Sequence, residues 1–138
     1  MSFMRSRTAG AMVTTAIVGL ALATSYIHLG LGGLLFTMNG LGYLGLAALF
    51  GVAAASRHPL VMRFSWAPRV MLGGYAVITI AGYLVMGPYF TLGWITKGIE
   101  VALIGLLTLD VFRVYGSPFG LIRGAWASVF QGGASAAA

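Results

Sequence analysis

Cysteine is missing from all 138 residues, so disulfides, thiolate metal sites and cysteine nucleophiles are excluded, and cysteine usage says nothing of the compartment. Acid is scarce as well. Glu100 and Asp110 stand alone against eight Lys and Arg, and charge of either sign makes up only 7% of the chain. With 59% hydrophobic residues and a mean hydropathy of +0.96, the composition argues against a soluble fold and for one small domain of the membrane class. From Thr8 to Ser56 there is no Asp, Glu, Lys or Arg at all. That run is about twice the ~20 residues one helix needs to cross a bilayer, so it reads as a transmembrane hairpin. Backbone amides in hydrocarbon must be paired within their own segment unless a barrel closes, and the period-2 alternation of barrel strands is missing here.

The formal charge of +6 would suggest nucleic acid in a soluble protein. No polar face interleaves basic and aromatic residues, so nucleic-acid binding is not expected; basic residues flanking apolar spans instead set topology and meet anionic lipid headgroups. Arg5 and Arg7 ahead of an apolar run ending in Ala21-Leu22-Ala23 imitate a signal peptide with its cleavage site. The run continues through Tyr26, Ile27, Leu29 and Leu31, which favours an uncleaved first helix.

Four spans fit the pattern, at about residues 10–31, 34–55, 69–86 and 92–115. Gly30, Gly32 and Gly33 supply the first turn. Residues 56–68, with Arg57, Pro59, Arg63, Trp66 and Pro68, read as an interfacial loop, and Gly87-Pro88 and Ser117-Pro118 close the third and fourth spans. The expected architecture is all-α: a cytoplasmic N-terminus over 1–9, an up-down-up-down bundle of four transmembrane helices over 10–116, an amphipathic segment over 117–131 and a disordered tail over 132–138. Arg5, Arg7, Arg57, Arg63, Arg69, Arg113 and Arg123 fall on one side of these spans and Lys97 alone on the other. By the positive-inside rule this predicts a multi-pass protein of the plasma membrane with both termini cytoplasmic. Phe119, Ile122, Trp126, Val129 and Phe130 recur at helical spacing. A helix on the inner membrane surface, a helix folded back on the bundle and a segment docked on a partner all satisfy that pattern.

Depth singles out the polar residues. His28 lies about 31 Å of helix past Arg7, near the outer surface. Asn39 and Tyr43 sit a turn apart near the start of the second span; Tyr75, Thr79 and Tyr83 form a stripe at i, i+4 and i+8; Lys97 and Glu100 open the fourth span. A candidate outer-leaflet cluster of His28, Asn39, Tyr43, Tyr83, Lys97 and Glu100 follows. A carboxylate at mid-bilayer costs roughly 2.5–3.5 kcal/mol on insertion scales, so Glu100 needs a partner. Lys97, three residues earlier, is one; His28 and Asn39 across helices are the other, an arrangement able to carry a proton or clamp a small polar ligand.

His28 and Glu100 are too few to hold a metal, and His58 belongs to the opposite face, so no metal site or cofactor is expected, and a paired-histidine haem within one chain is ruled out. A haem shared between two copies through His28 stays open. Asp110 and Arg113 read as an ion pair at a wet interface, where it is worth little. Small residues spaced by four, Gly19 and Ala23, Ala47 and Gly51, Gly98 and Ala102, read as packing faces within or between chains.

The arrangement Tyr26-Ile27-His28-Leu29-Gly30, Leu35-Phe36-Thr37-Met38-Asn39-Gly40-Leu41-Gly42-Tyr43, Gly82-Tyr83 and Lys97-Gly98-Ile99-Glu100 resembles small four-helix membrane proteins of bacteria and haloarchaea that carry a histidine near the end of the first span. The likeness covers residues 10–115 and implies a fold, since that uncharacterised group has no activity to carry over; the basic, acid-poor composition departs from the halophilic habit. Small four-helix multidrug exporters differ, because their membrane carboxylate is in the first helix and this one is in the fourth. The residues point to a non-enzymatic accessory or assembly subunit or a small-ligand binder, in contact with the bilayer and with copies of itself or a larger membrane complex. The alternatives are an oligomeric proton-coupled transporter or channel subunit using Glu100 and His28, and a redox subunit holding quinone or haem near His28 and Tyr83.

Overall fold

A computed structural model of the chain describes residues 6–131, which form six helices and no strand. Arg5 and the tail expected to be disordered lie outside the described residues. Helix α1 (Arg7–Leu31) begins where the Ser6 hydroxyl accepts the Ala9 N–H at 3.1 Å, and it ends at Gly32 and Gly33, whose φ of 70° and 82° only glycine adopts freely. The chain turns directly into α2 (Leu34–Ala55). One short turn, α3 (Pro59–Arg63), interrupts the loop that follows.

Helix α4 (Trp66–Met86) starts three residues ahead of the sequence reading. Pro68 sits in its first turn, where the missing N–H has no intrahelical partner to lose, so the proline opens the helix and does not delay it. Helix α5 (Thr91–Tyr115) stops at Gly116, at φ 75°. Ser117 then caps α6 (Pro118–Phe130) by accepting the Gly120 N–H at 3.0 Å.

Helices α1, α2 and α4 are long and apolar enough to cross a membrane. Helix α5 matches α1 in length, 25 residues each, but carries Lys97, Glu100, Asp110 and Arg113. The four long helices pack in a ring, α1 on α2, α2 on α4, α4 on α5 and α5 on α1. Contacts such as Ser25 with Gly40, Asn39 with Tyr75, Arg69 with Asp110 and Thr24 with Glu100 make each neighbour antiparallel. A continuous core of Ile17, Ala21, Tyr43, Phe50, Leu72 and Leu103 fills the ring.

The outside is apolar as well. Leu34 is 80% exposed, Val85 79%, Ile78 69% and Phe119 81%. A water-soluble surface does not carry large apolar side chains in such continuous cover.

Close approach does not follow the small-residue pairs. A Cβ on Gly19 or Gly98 would meet nothing within 4 Å, so those faces are open in this chain, and of the pairs only the Ala47–Gly51 face is occupied, with Val18 3.8 Å from a Cβ on Gly51. The tight glycines are others. A Cβ on Gly40 would lie 2.7 Å from the Leu29 side chain and 2.9 Å from the Ser25 carbonyl oxygen, and one on Gly42 would overlap the Tyr75 hydroxyl. Spacing by four identifies a face without saying which way it looks.

At the end of the ring that holds the α2–α4 loop, Asp110 is fully buried, which corrects the wet-interface reading. Arg69 of α4 donates through Nε to Oδ2 at 2.8 Å, and Arg113 donates to Oδ1 at 2.6 Å. The Arg69 guanidinium lies over the rings of Phe50 and Tyr115, 5.4 and 5.7 Å from their centroids, and donates to the Ser65 carbonyl. Helix α6 is fastened beside this cluster: Arg63 donates to the Ser128 carbonyl, and Trp66 donates through Nε1 to Ser128 Oγ at 2.9 Å. Its Leu121 and Ser128 face the ring, while Phe119, Ile122, Trp126, Val129 and Phe130 remain exposed.

Candidate functional site

The opposite end of the ring, where α1 turns into α2 and α4 into α5, holds a cavity of about 570 Å³ between α1, α2, α4 and α5. Such a volume is within the usual ~300–1,000 Å³ of small-molecule sites. Its polar wall comes from His28 on α1, Asn39 on α2, Thr79 on α4 and Lys97 on α5, with Tyr83 beside Lys97. Of the six residues expected to cluster, His28, Asn39, Tyr83 and Lys97 therefore line one space. Tyr43 and Glu100, both fully buried, stand behind the wall and hold it.

Glu100 is the hub. Its Oε2 accepts from Lys97 Nζ at 2.5 Å, and its Oε1 accepts from the Thr24 hydroxyl of α1 at 3.2 Å. Lys97 reaches across to α4 as well, donating to the Thr79 carbonyl at 3.4 Å with its ammonium 5.6 Å from the centre of the Tyr83 ring. Of the two expected pairings, the one with Lys97 is formed and the one with His28 and Asn39 is not formed by direct contact. Lys97 is the direct partner, and His28 reaches Glu100 through Thr24 rather than by contact. Asn39 is not bonded to Glu100.

His28 is orientated by its own helix. Nδ1 lies 2.7 Å from the Thr24 carbonyl oxygen, and a ring nitrogen so placed donates its proton. The proton therefore sits on Nδ1 and, in the neutral ring, Nε2 is an acceptor. The ring stacks 5.9 Å from Tyr43 and tilts against Phe36 at 6.2 Å. Tyr43 in turn bonds Thr79 Oγ1 at 2.7 Å; since Thr79 donates to the Ala76 carbonyl, the Tyr43 hydroxyl is the donor.

Tyr83 is committed to structure. Its hydroxyl donates to the Phe90 carbonyl at 3.2 Å, and its ring fills the space a side chain on Gly93 would need, closing the α4–α5 turn with Tyr89 and Trp94. Asn39 is the reverse case: its backbone carbonyl accepts from Tyr75, but Oδ1 is buried without any partner. A buried polar atom left unpaired costs about 1–3 kcal/mol, so it asks for an explanation.

Neither a known protein family nor any curated protein or solved structure matches this chain. The site therefore has to be read from its own chemistry. Among the described residues no three of His, Asp and Glu gather as metal ligands would. What the wall offers is a charge-compensated lysine, an imidazole acceptor and a side-chain amide around one space.

Sequence reasoning missed Thr24 and undervalued Thr79. The signal for Thr24 was present, since Thr24 and His28 stand at i and i+4 on one face of an otherwise apolar helix.

Proposed function

We propose that this chain is an integral membrane protein whose four long helices all cross the bilayer, both termini cytoplasmic, and that it binds a small ligand in the cavity at the outer end without acting on it chemically. The observation that carries this reading is the convergence of His28, Asn39, Thr79 and Lys97, one from each long helix, on a single cavity. Membrane helices seldom carry such groups without a use for them. Helix α5 becomes a tolerable span because its charges are paired: Lys97 with Glu100, and Arg69 and Arg113 with Asp110. The basic residues gather at the other end, and the exposed stripe of α6 suits the inner membrane surface. No nucleophile stands against a base in the cavity wall among the described residues, which favours binding over catalysis.

Two experiments test this. The absence of cysteine makes single-cysteine labelling clean: Tyr89→Cys should react with a membrane-impermeant maleimide in intact cells, and Arg57→Cys only after permeabilisation. The reverse pattern overturns the topology. For the cavity, Gly82 lines it and a Cβ there meets nothing within 4 Å, so Gly82→Phe fills the space while leaving the packing intact. Wild-type protein should retain a bound small molecule from a total lipid extract, and Gly82→Phe should not.

One observation favours a second reading, a proton-coupled transporter or channel subunit: the Thr24 hydroxyl joins Glu100 to His28. It requires pH-dependent flux in liposomes that disappears in Glu100→Gln. Ligand retention with no flux in either protein selects the binder.

A further inference from the structure

The ligand's chemistry can be narrowed from the unused bonding capacity of the wall, an argument that rests on the binding reading above. We infer that the cavity takes an uncharged lipid whose polar end is a hydroxyl group, with its chain leaving between α2 and α4 into the bilayer. Charge is the first discriminator. Lys97 is neutralised by Glu100 at 2.5 Å, so the wall has no surplus cation for a phosphate or a carboxylate, and the buried carboxylate disfavours an anionic head further. A cationic head finds no free carboxylate, since Lys97 and Thr24 already bond the two Glu100 oxygens.

Hydrogen-bond capacity is the second. In the neutral ring His28 Nε2 is an acceptor on a residue that lines the cavity, because Nδ1 holds the proton toward Thr24. Lys97 has three N–H donors and uses two, on Glu100 and the Thr79 carbonyl. The wall therefore needs one group that donates to the imidazole acceptor while accepting from the remaining ammonium hydrogen. A hydroxyl does both. An ester or ketone oxygen accepts only, and leaves the imidazole nitrogen of His28 unpaired.

The third observation is the opening. Leu35 and Met38 on α2 and Ile78 and Met86 on α4 border the cavity, and all four are exposed large hydrophobics on the outside of the ring. In a bilayer that border faces lipid, so a hydrocarbon chain entering between α2 and α4 exchanges one apolar surrounding for another. A sugar or amino acid arriving from water has no comparable match along that border.

Native mass spectrometry of the delipidated full-length protein tests the inference with four probes of one chain length, oleyl alcohol, methyl oleate, oleate and oleylamine, in equimolar competition. Oleyl alcohol should dominate the adducts by about tenfold, the worth of one buried hydrogen bond correctly paired. His28→Phe, which removes the acceptor, should bring alcohol and methyl ester near parity, and Asn39→Asp, which adds a carboxylate to the wall, should turn the preference toward oleylamine. Equal retention of alcohol and ester by the wild type, a preference for oleate or oleylamine, or a preference untouched by both the His28 and the Asn39 variant overturns the hydroxyl assignment while leaving a binding site in place. Adducts that persist unchanged in Gly82→Phe, or no adduct in any protein, overturn the binding reading itself and this inference with it.

Discussion

Helix α5 buries two carboxylates, Glu100 and Asp110, roughly 15 Å apart along its axis, each with a basic residue three positions away on the same helix. Their surroundings differ in what is left over. Asp110 receives two guanidinium groups, from Arg69 and Arg113, and the Arg69 guanidinium is covered by aromatic rings. The one orphan there is a donor, Arg113 Nε, on a guanidinium packed against Gly10 of α1, where a Cβ would come within 2.7 Å of it. Glu100 receives one ammonium and one hydroxyl, and His28, Asn39, Thr79 and Lys97 around it line an open cavity. Burial and pairing are common to both ends, so neither identifies a site. Unused hydrogen-bonding capacity beside a space does.

The largest test of that contrast is Asp110→Asn. It leaves the buried Arg69 and the partly buried Arg113 guanidinium facing a neutral amide, and unfolding in detergent should show a loss of about 3–5 kcal/mol. Glu100→Gln should cost less, about 1–3 kcal/mol, because the amide still bonds Thr24 and the lysine borders a cavity that can admit water. If Glu100→Gln proves the more damaging, the assignment of a structural end and a binding end is reversed. Next comes Gly40→Ala, which pushes a methyl group against Leu29 and the Ser25 carbonyl and should cost about 1–3 kcal/mol, whereas Gly98→Ala, on an open helical face, should gain about 0.5–1 kcal/mol. Similar values for the two would mean that α1 and α2 are not as close as described. Smallest is Asn39→Leu, whose effect on the midpoint should be near zero or slightly stabilising, since only an unpaired atom is removed. A loss above about 2 kcal/mol would show that the Asn39 amide serves the fold.

How much of this was legible in the chain follows from the range of each signal. The helical class and the positions of the long helices rest on apolar run length and on Gly-Gly and Gly-Pro punctuation, which are local. Lys97 with Glu100 was legible for the same reason, as neighbours on one helix. Arg69 with Asp110 was not: it joins residues 41 positions apart, and Pro68 made Arg69 look like a loop charge when it stands in the first turn of α4. Depth alone brought His28, Asn39 and Tyr83 to one level, yet depth could not separate Tyr83, whose hydroxyl is spent on Phe90, from Asn39, whose amide oxygen is spent on nothing. That distinction is a matter of angle around each helix, which a few apolar residues on every face do not encode.

The two-residue link between α1 and α2 also orders events during synthesis. Gly32 and Gly33 leave three Cα–Cα steps, about 11 Å at most, between the helix ends, so in the proposed topology the first two helices enter the bilayer as a pair. His28 and Asn39 are then neighbours before α5 has been made. Half of the cavity wall thus precedes Glu100 along the chain, and the carboxylate completes it by accepting from the Thr24 hydroxyl of the first hairpin.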